Sequence, residues 1–216
     1  MKVVDLSHVF SITDRVFPGT NAMSFDHTHT CAKDGYNLTM CNINTHAGTH
    51  TDAPLHFLAD GKSLAEVDIQ CYVGPCFVVD CTQKNHPNAF LTVADAAPFE
   101  AQIKRAGRVA FATGWFKEFN TEHFFTEYPS VSVELAEYLV SLGVRMIGVE
   151  GPSVNTVDGA KVHKILLSAD CAIVEALNNT DQVLNQTIFF CGAPLAFTGM
   201  DGFPIKAYAL LQEAEA

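Results

Sequence analysis

A single α/β domain is what this sequence predicts, built on a mixed central sheet or partly closed barrel with flanking helices. Three observations carry that expectation. Short β-rich runs recur along the chain, helical segments fall between them, and twice a helix ends at a glycine that a strand follows directly. The runs at 2–6, 38–45, 76–81, 108–112, 145–150, 171–177 and 187–191 are rich in β-branched and aromatic residues and have ordinary strand lengths. Residues 92–106 read as a helix starting at a Thr92 cap and ending near Gly107. Residues 132–142 read as a second, with Ser132 as cap, Glu134 in the first turn and Gly143 past the end. Because the strands at 108–112 and 145–150 follow these helices, the pattern predicts β/α layering with parallel neighbours. A shorter helix is expected at 160–168, ahead of strand 171–177. No repeat or linker-like stretch interrupts the 216 residues, so 1–216 is expected to form one domain.

Composition narrows the partners. A formal net charge of −11 argues against nucleic acid and anionic membrane, both of which need a basic face. Residues 1–10 include Lys2, Asp5 and His8 and lack the apolar core of a signal peptide, and no apolar run approaches ~18 residues. A soluble cytoplasmic protein is the expectation. The seven cysteines (31, 41, 71, 76, 81, 171, 191) are odd in number and contain no C-x2-C pair, which implies neither a full disulfide framework nor a zinc ribbon. Most lie in apolar runs and are expected as buried free thiols.

The chemistry concentrates at 46–57, His-Ala-Gly-Thr-His-Thr-Asp-Ala-Pro-Leu-His-Phe, where three of nine histidines and an aspartate crowd together. Thr45, Thr49 and Thr51, with Gly48 and Pro54, disfavour a helix and suit a strand ending near Pro54. On such a strand the even-numbered His46, His50 and Asp52 leave from one face, as ligands of a metal must. His56 lies past the proline and reads as a neighbouring acid/base. A site of this kind wants further ligands from elsewhere. His163 in a helical segment and Glu175, closing the apolar strand Cys171-Ala172-Ile173-Val174, are the candidates. By residue type alone, His163 reads equally well as a surface histidine and Glu175 as a solvated strand end.

Together these residues resemble the cyclase family of metal-dependent hydrolases, which includes bacterial kynurenine formamidase and isatin hydrolase. The segment 46–57 matches the family signature H-x-G-T-H-x-D-x-P-x-H-F at every fixed position. Phe17-Pro18-Gly19 resembles its N-terminal aromatic-Pro-Gly loop, Thr113-Gly114-Trp115 its T-G-W turn, and residues 147–153 the strand and turn before a second ligand pair. Thr20 departs from the pattern, where that loop often carries an acid, as does Glu150, where members commonly carry Asp. The resemblance implies a swivelling β/α/β-type fold and one or two Zn²⁺ per chain, with Mn²⁺ as the alternative. His46, His50 and Asp52 would hold the first metal, with Asp52 bridging to a second held by His163 and Glu175. His56 would be the catalytic acid/base. A homo-oligomer, dimer or tetramer, acting on a small molecule is also implied.

The resemblance to kynurenine formamidase implies hydrolysis of N-formyl-L-kynurenine to L-kynurenine and formate, by metal-activated water. The Gly-x-Ser-x-Gly elbow of serine hydrolases is absent. Phe17 and Trp115 are expected in an apolar substrate pocket, whereas Phe116 and Phe119 read as core. The alternatives are a hydrolase of another small cyclic amide or lactone, such as isatin, and a metal-binding protein without turnover; the second leaves His56 unexplained. His27-Thr28-His29 has no glutamate at the spacing a cupin site needs and reads as an exposed or substrate-side loop. His8, His86 and His123 are expected at the surface.

Overall fold

The computed structural model describes residues 1–212. Its strands are β1 (Lys2–Asp5), β2 (Ser24–His29), β3 (Leu38–Asn42), β4 (His50–Asp52), β5 (Val73–Asp80), β6 (Phe90–Leu91), β7 (Val109–Ala112), β8 (Ser130–Val131), β9 (Met146–Gly148), β10 (Ala172–Glu175), β11 (Thr187–Cys191), β12 (Gly202–Pro204) and β13 (Tyr208–Leu211). Nine of them form one curled sheet in the order β1-β13-β11-β5-β7-β9-β10-β4-β12. The run β5-β7-β9-β10 is parallel, as the helix-glycine-strand pattern requires, and the other pairings within this sheet are antiparallel.

Alternation along β5 shows how both faces are covered. The helices are α1 (Cys31–Asp34), α2 (Val93–Ala96), α3 (Glu100–Ala106), α4 (Val133–Ser141) and α5 (Gly159–Ser168). Phe77 and Val79 join one core with α3, α4 and α5. Cys76 and Val78 face the other way, into a second core filled by side chains such as Val4, Ala110, Val174, Phe190 and Ala209, where the sheet folds over its own surface. Period-2 patterning with both sets apolar is what a sheet buried on two faces demands.

The helices follow their caps. Ser132 accepts a hydrogen bond from the Leu135 amide, and Gly107 and Gly143 sit past their helix ends at φ +68° and +72°, where a side chain would be strained. The helix expected at 92–106 is broken in two. A four-residue helix, Val93–Ala96, starts from a Thr92/Asp95 capping box, and a 3-10 turn over Ala97–Phe99 separates it from α3. Pro98 is the cause, because it lacks an N–H and its ring crowds the preceding turn.

Other expectations shift at their margins. The run 38–45 is a strand only to Asn42, and its partner is β2, an unexpected polar strand, in a separate two-stranded hairpin. The short strands β12 and β13 had no recognisable alternation. Cys71, Cys76, Cys81 and Cys171 are buried, and burial pushes the Cys76 and Cys81 thiols up to about 12; Cys31 and Cys41 are exposed. Among the described residues no helix is long and apolar enough to cross a membrane.

Candidate metal centre

The site forms where β4 is gripped between β10 and β12. His50 lies directly across from Glu175 on β10, and Asp52 across from Ile173, so the two-residue period puts His50, Asp52 and Glu175 on one face. All three are buried. α5 brings His163 to the same point, 3.4 Å from Asp52 Oδ2 and 3.5 Å from Glu175 Oε1 through Nε2. Each buried imidazole is oriented from behind. His50 Nδ1 donates to the Gly48 carbonyl at 3.0 Å and His163 Nδ1 to the Gly159 carbonyl at 2.7 Å, which leaves both Nε2 atoms directed at the carboxylates.

Three of the inward atoms, His50 Nε2, Asp52 Oδ2 and Glu175 Oε1, are buried without a hydrogen bond and have only longer ion-pair contacts: His50 Nε2 to Glu175 Oε2 at 3.2 Å, and His163 Nε2 to Asp52 Oδ2 and Glu175 Oε1 at 3.4 and 3.5 Å. A cation answers all three at once, and His50, Asp52 and Glu175 offer donor atoms within 4.8 Å of one another. The electrostatics agree. Burial opposes charge on His50 and His163, yet the carboxylates of Asp52 and Glu175 outweigh it and raise both to about 10. Asp52 is itself held well below the usual carboxylate range: burial works against this, and the surrounding imidazoles prevail. The pocket is built to hold positive charge.

His46 arrives by a different route from the one its parity predicts. Only 50–52 is strand, and His46 precedes it in a turn where Gly48 takes φ +61°. It reaches the same centre nonetheless, with Nδ1 2.9 Å from Asp52 Oδ1. Asp52 therefore belongs to two groups of possible ligands, the second being His46, Asp52 and His56. His56 ends the 3-10 turn Pro54–His56, and its ring stacks on His46 at a centroid distance of 4.0 Å. Gly202 opposite Asp52 makes room for all this, since a Cβ there would stand 2.6 Å from His46 Cε1. Gly202→Ala is expected to displace the His46 ring and weaken metal retention about 10-fold or more while the chain stays folded, read by metal titration alongside circular dichroism.

Asp201 is the residue that sequence reasoning missed. Its Oδ2 accepts from His46 Nε2 at 2.9 Å and lies 3.4 Å from His56 Nδ1. The only signal in the chain is an acid set among glycines at 199–202, which no periodicity distinguishes from an ordinary loop.

A cleft of about 400 Å³ opens beside His163, lined by Phe17, Phe57, Phe125, Tyr128 and Ser153 among others. A narrower crevice carries Phe17 and Arg15 on to His46 and His50. Phe17 thus sits at the mouth of the site. Trp115 does not: it is buried in a core cluster with Phe124, Tyr128 and Ala176, its indole N–H directed at the Phe124 carbonyl, and the expectation of a pocket ring there is corrected. Phe116 is buried as expected, and half-buried Phe119 stacks face to face on His8 at 3.8 Å. His8 is therefore not a surface residue, and burial lowers it to about 4. His86 and His123 are exposed; His27 and His29 lie on β2, in the two-stranded hairpin with β3. Glu150 is a buried brace whose carboxylate accepts from the Thr113 amide and hydroxyl, the Phe116 amide and the Thr180 hydroxyl. Thr20 closes the 17–20 turn by donating its hydroxyl to the Phe17 carbonyl at 2.7 Å.

Fold and site together define a metal-dependent hydrolase. The family model described as "Putative cyclase" matches residues 4–156, and the chain belongs to that cyclase family. It is 30% identical over 207 residues to the kynurenine formamidase of Bacillus cytotoxicus, covering 94% of this chain and 95% of that one. A solved structure described as a potential metal-dependent hydrolase with cyclase activity superposes with a TM-score of 0.81 at 27% identity, over 99% of both chains. Isatin hydrolase A from Labrenzia aggregata shares the fold, with a TM-score of 0.86 at 23% identity over 98% of this chain and 94% of its own.

Proposed function

We propose that this chain is a cytoplasmic arylformamidase that hydrolyses N-formyl-L-kynurenine to L-kynurenine and formate. The observation that carries the reading is the convergence of three buried donor atoms without a hydrogen bond, on His50, Asp52 and Glu175, beneath an aromatic cleft. In this reading His46, His50 and Asp52 hold one Zn²⁺, and Asp52, His163 and Glu175 hold a second; Mn²⁺ suits the carboxylate-rich half nearly as well. A cation held by these residues would supply polarisation of the formyl carbonyl and a water whose pKa is lowered toward ~7.

The remaining steps belong to side chains. His56 takes the proton of the attacking water at Nε2, the nitrogen turned away from Asp201. As the new C–O bond forms and the C–N bond breaks, the same nitrogen returns the proton to the departing aniline. Phe17, Phe57 and Phe125 surround the aryl group and exclude water. Arg15 is the one Arg or Lys among the residues lining the two clefts, and it meets the carboxylate at the amino-acid end of the substrate. The kynurenine formamidase relatives, similar over nearly their whole length, support this choice of substrate.

Turnover of N-formylkynurenine beside isatin and a simple lactone is the direct test, with metal content measured on the same preparation. Hydrolysis of the formamide with up to two divalent ions per chain is expected. Turnover confined to isatin or the lactone overturns the substrate, and full activity of a metal-free preparation overturns the mechanism. Arg15→Met is expected to raise KM for N-formylkynurenine about 10-fold, the equivalent of ~1.4 kcal/mol, and to leave KM for neutral formanilide unchanged. Light scattering on the eluting peak reads the homo-oligomer, dimer or tetramer, that completes this proposal.

A further inference from the structure

We infer that Asp201 is the positioning residue of this site, a single carboxylate that sets the working orientation of both His56 and His46. The inference rests on the roles proposed above for those two histidines. Its foundation is where Asp201 is tied. The Asp201 carbonyl accepts from the Ala53 amide at 2.8 Å, which fixes its main chain to the residue between Asp52 and Pro54. Oδ1 accepts from the Thr45 hydroxyl at 3.2 Å, immediately before His46. The other oxygen, Oδ2, is left to the two imidazoles, at 2.9 Å from His46 Nε2 and 3.4 Å from His56 Nδ1. Because the two rings are stacked, one oxygen at their edge reaches both.

A carboxylate only accepts, so each ring nitrogen facing it must carry the proton. For His56 this places N–H at Nδ1 and leaves the lone pair of Nε2 free, the form a base requires. For His46 it places N–H at Nε2; Nδ1 faces Asp52 Oδ1 at 2.9 Å and by the same rule also carries a proton here, and it is this Nδ1 proton that a cation would displace, with Nε2–H still held by Asp201. Without Asp201 either ring is free to flip or to take the other tautomer, and the stack has no anchor at that edge.

The test uses metal-loaded protein carrying Asp201→Asn, a substitution that preserves size and the Thr45 contact while removing the charge. In long-range ¹H–¹⁵N spectra of histidine-labelled protein, wild type is expected to show His56 protonated at Nδ1. The Asn variant is expected to show a mixture of tautomers, with kcat at saturating metal lowered 10- to 100-fold, KM within 2-fold, the thermal midpoint of the loaded protein close to wild type, and metal affinity weakened through His46. Asp201→Glu, which restores the charge on a longer arm, is expected to recover the Nδ1–H form. An unchanged His56 tautomer in Asp201→Asn overturns the inference, as does a fall in activity that only tracks lost metal. The spectra need no substrate, so they decide the role of Asp201 even if N-formylkynurenine is not turned over. Conversely, an inert His56→Ala with a fully active Asp201→Asn leaves the hydrolase reading intact and removes only this one.

Discussion

Asp52→Asn is expected to empty the site and lower kcat/KM at least 1,000-fold, with metal analysis falling to background. Asp52 is the member common to both groups of possible ligands and is fully buried, so the substitution would remove a charge from both proposed metal positions at once while leaving the volume of the side chain unchanged. A loss of that size corresponds to ~4 kcal/mol of transition-state stabilisation, within what a Lewis-acidic cation supplies. Wild-type metal content in this variant would be incompatible with a bridging role. Metal removal has a signature of its own in the dependence of stability on pH. Without a cation, His50 and His163 take up protons at folded values near 10 against an ordinary 6.5, so the stability they contribute is complete below 6.5 and disappears as pH rises through about 10. Asp52 acts oppositely: its folded value lies below 3.8, so its contribution is present above 3.8 and is lost on acidification below it. Chelated protein should therefore lose stability steadily from pH 6.5 to 10 in urea titrations, and metal-loaded protein should not, because the cation keeps both imidazoles deprotonated.

His56→Ala should separate chemistry from binding. Its ring lies stacked on His46 at the edge of the centre, half-buried, outside the tightly enclosed group of His50, Asp52, His163 and Glu175. Removing an acid/base there is expected to cut kcat by 10² to 10⁴, the usual worth of positioned proton transfer, with KM and metal content near wild type. Steady-state kinetics and metal analysis on one preparation check it. If the metal is lost along with turnover, His56 is a ligand, a role that its grouping with His46 and Asp52 makes chemically accessible.

Much of this molecule is legible before any coordinates. Caps at Thr92 and Ser132 and glycines at 107 and 143 are local features, and local sterics and hydrogen bonding suffice to read them. His50, Asp52, His163 and Glu175 were nameable for a similar reason: few residue types hold a divalent cation, and they occur here at spacings that resemble a known pattern. Periodicity failed where its assumption failed. The even-odd rule placed His46 correctly but for the wrong reason, since the turn at Gly48, and not an extended strand, delivers it. Trp115 looked like a pocket ring and is core, because burial depends on which cluster closes over a side chain and not on the side chain itself.

Asp201 marks the limit most clearly. The sequence by itself determined the β/α layering, the candidate ligands and the acid/base candidate, each of which is written in residues near one another or in a recognisable motif. Only the tertiary structure decided that β12 lies beside β4, setting Asp201 against a histidine 155 positions earlier. The physical reason is that strand order is chosen by the burial of the whole sheet, and a contact made by that choice leaves no periodic trace in either of the segments it joins.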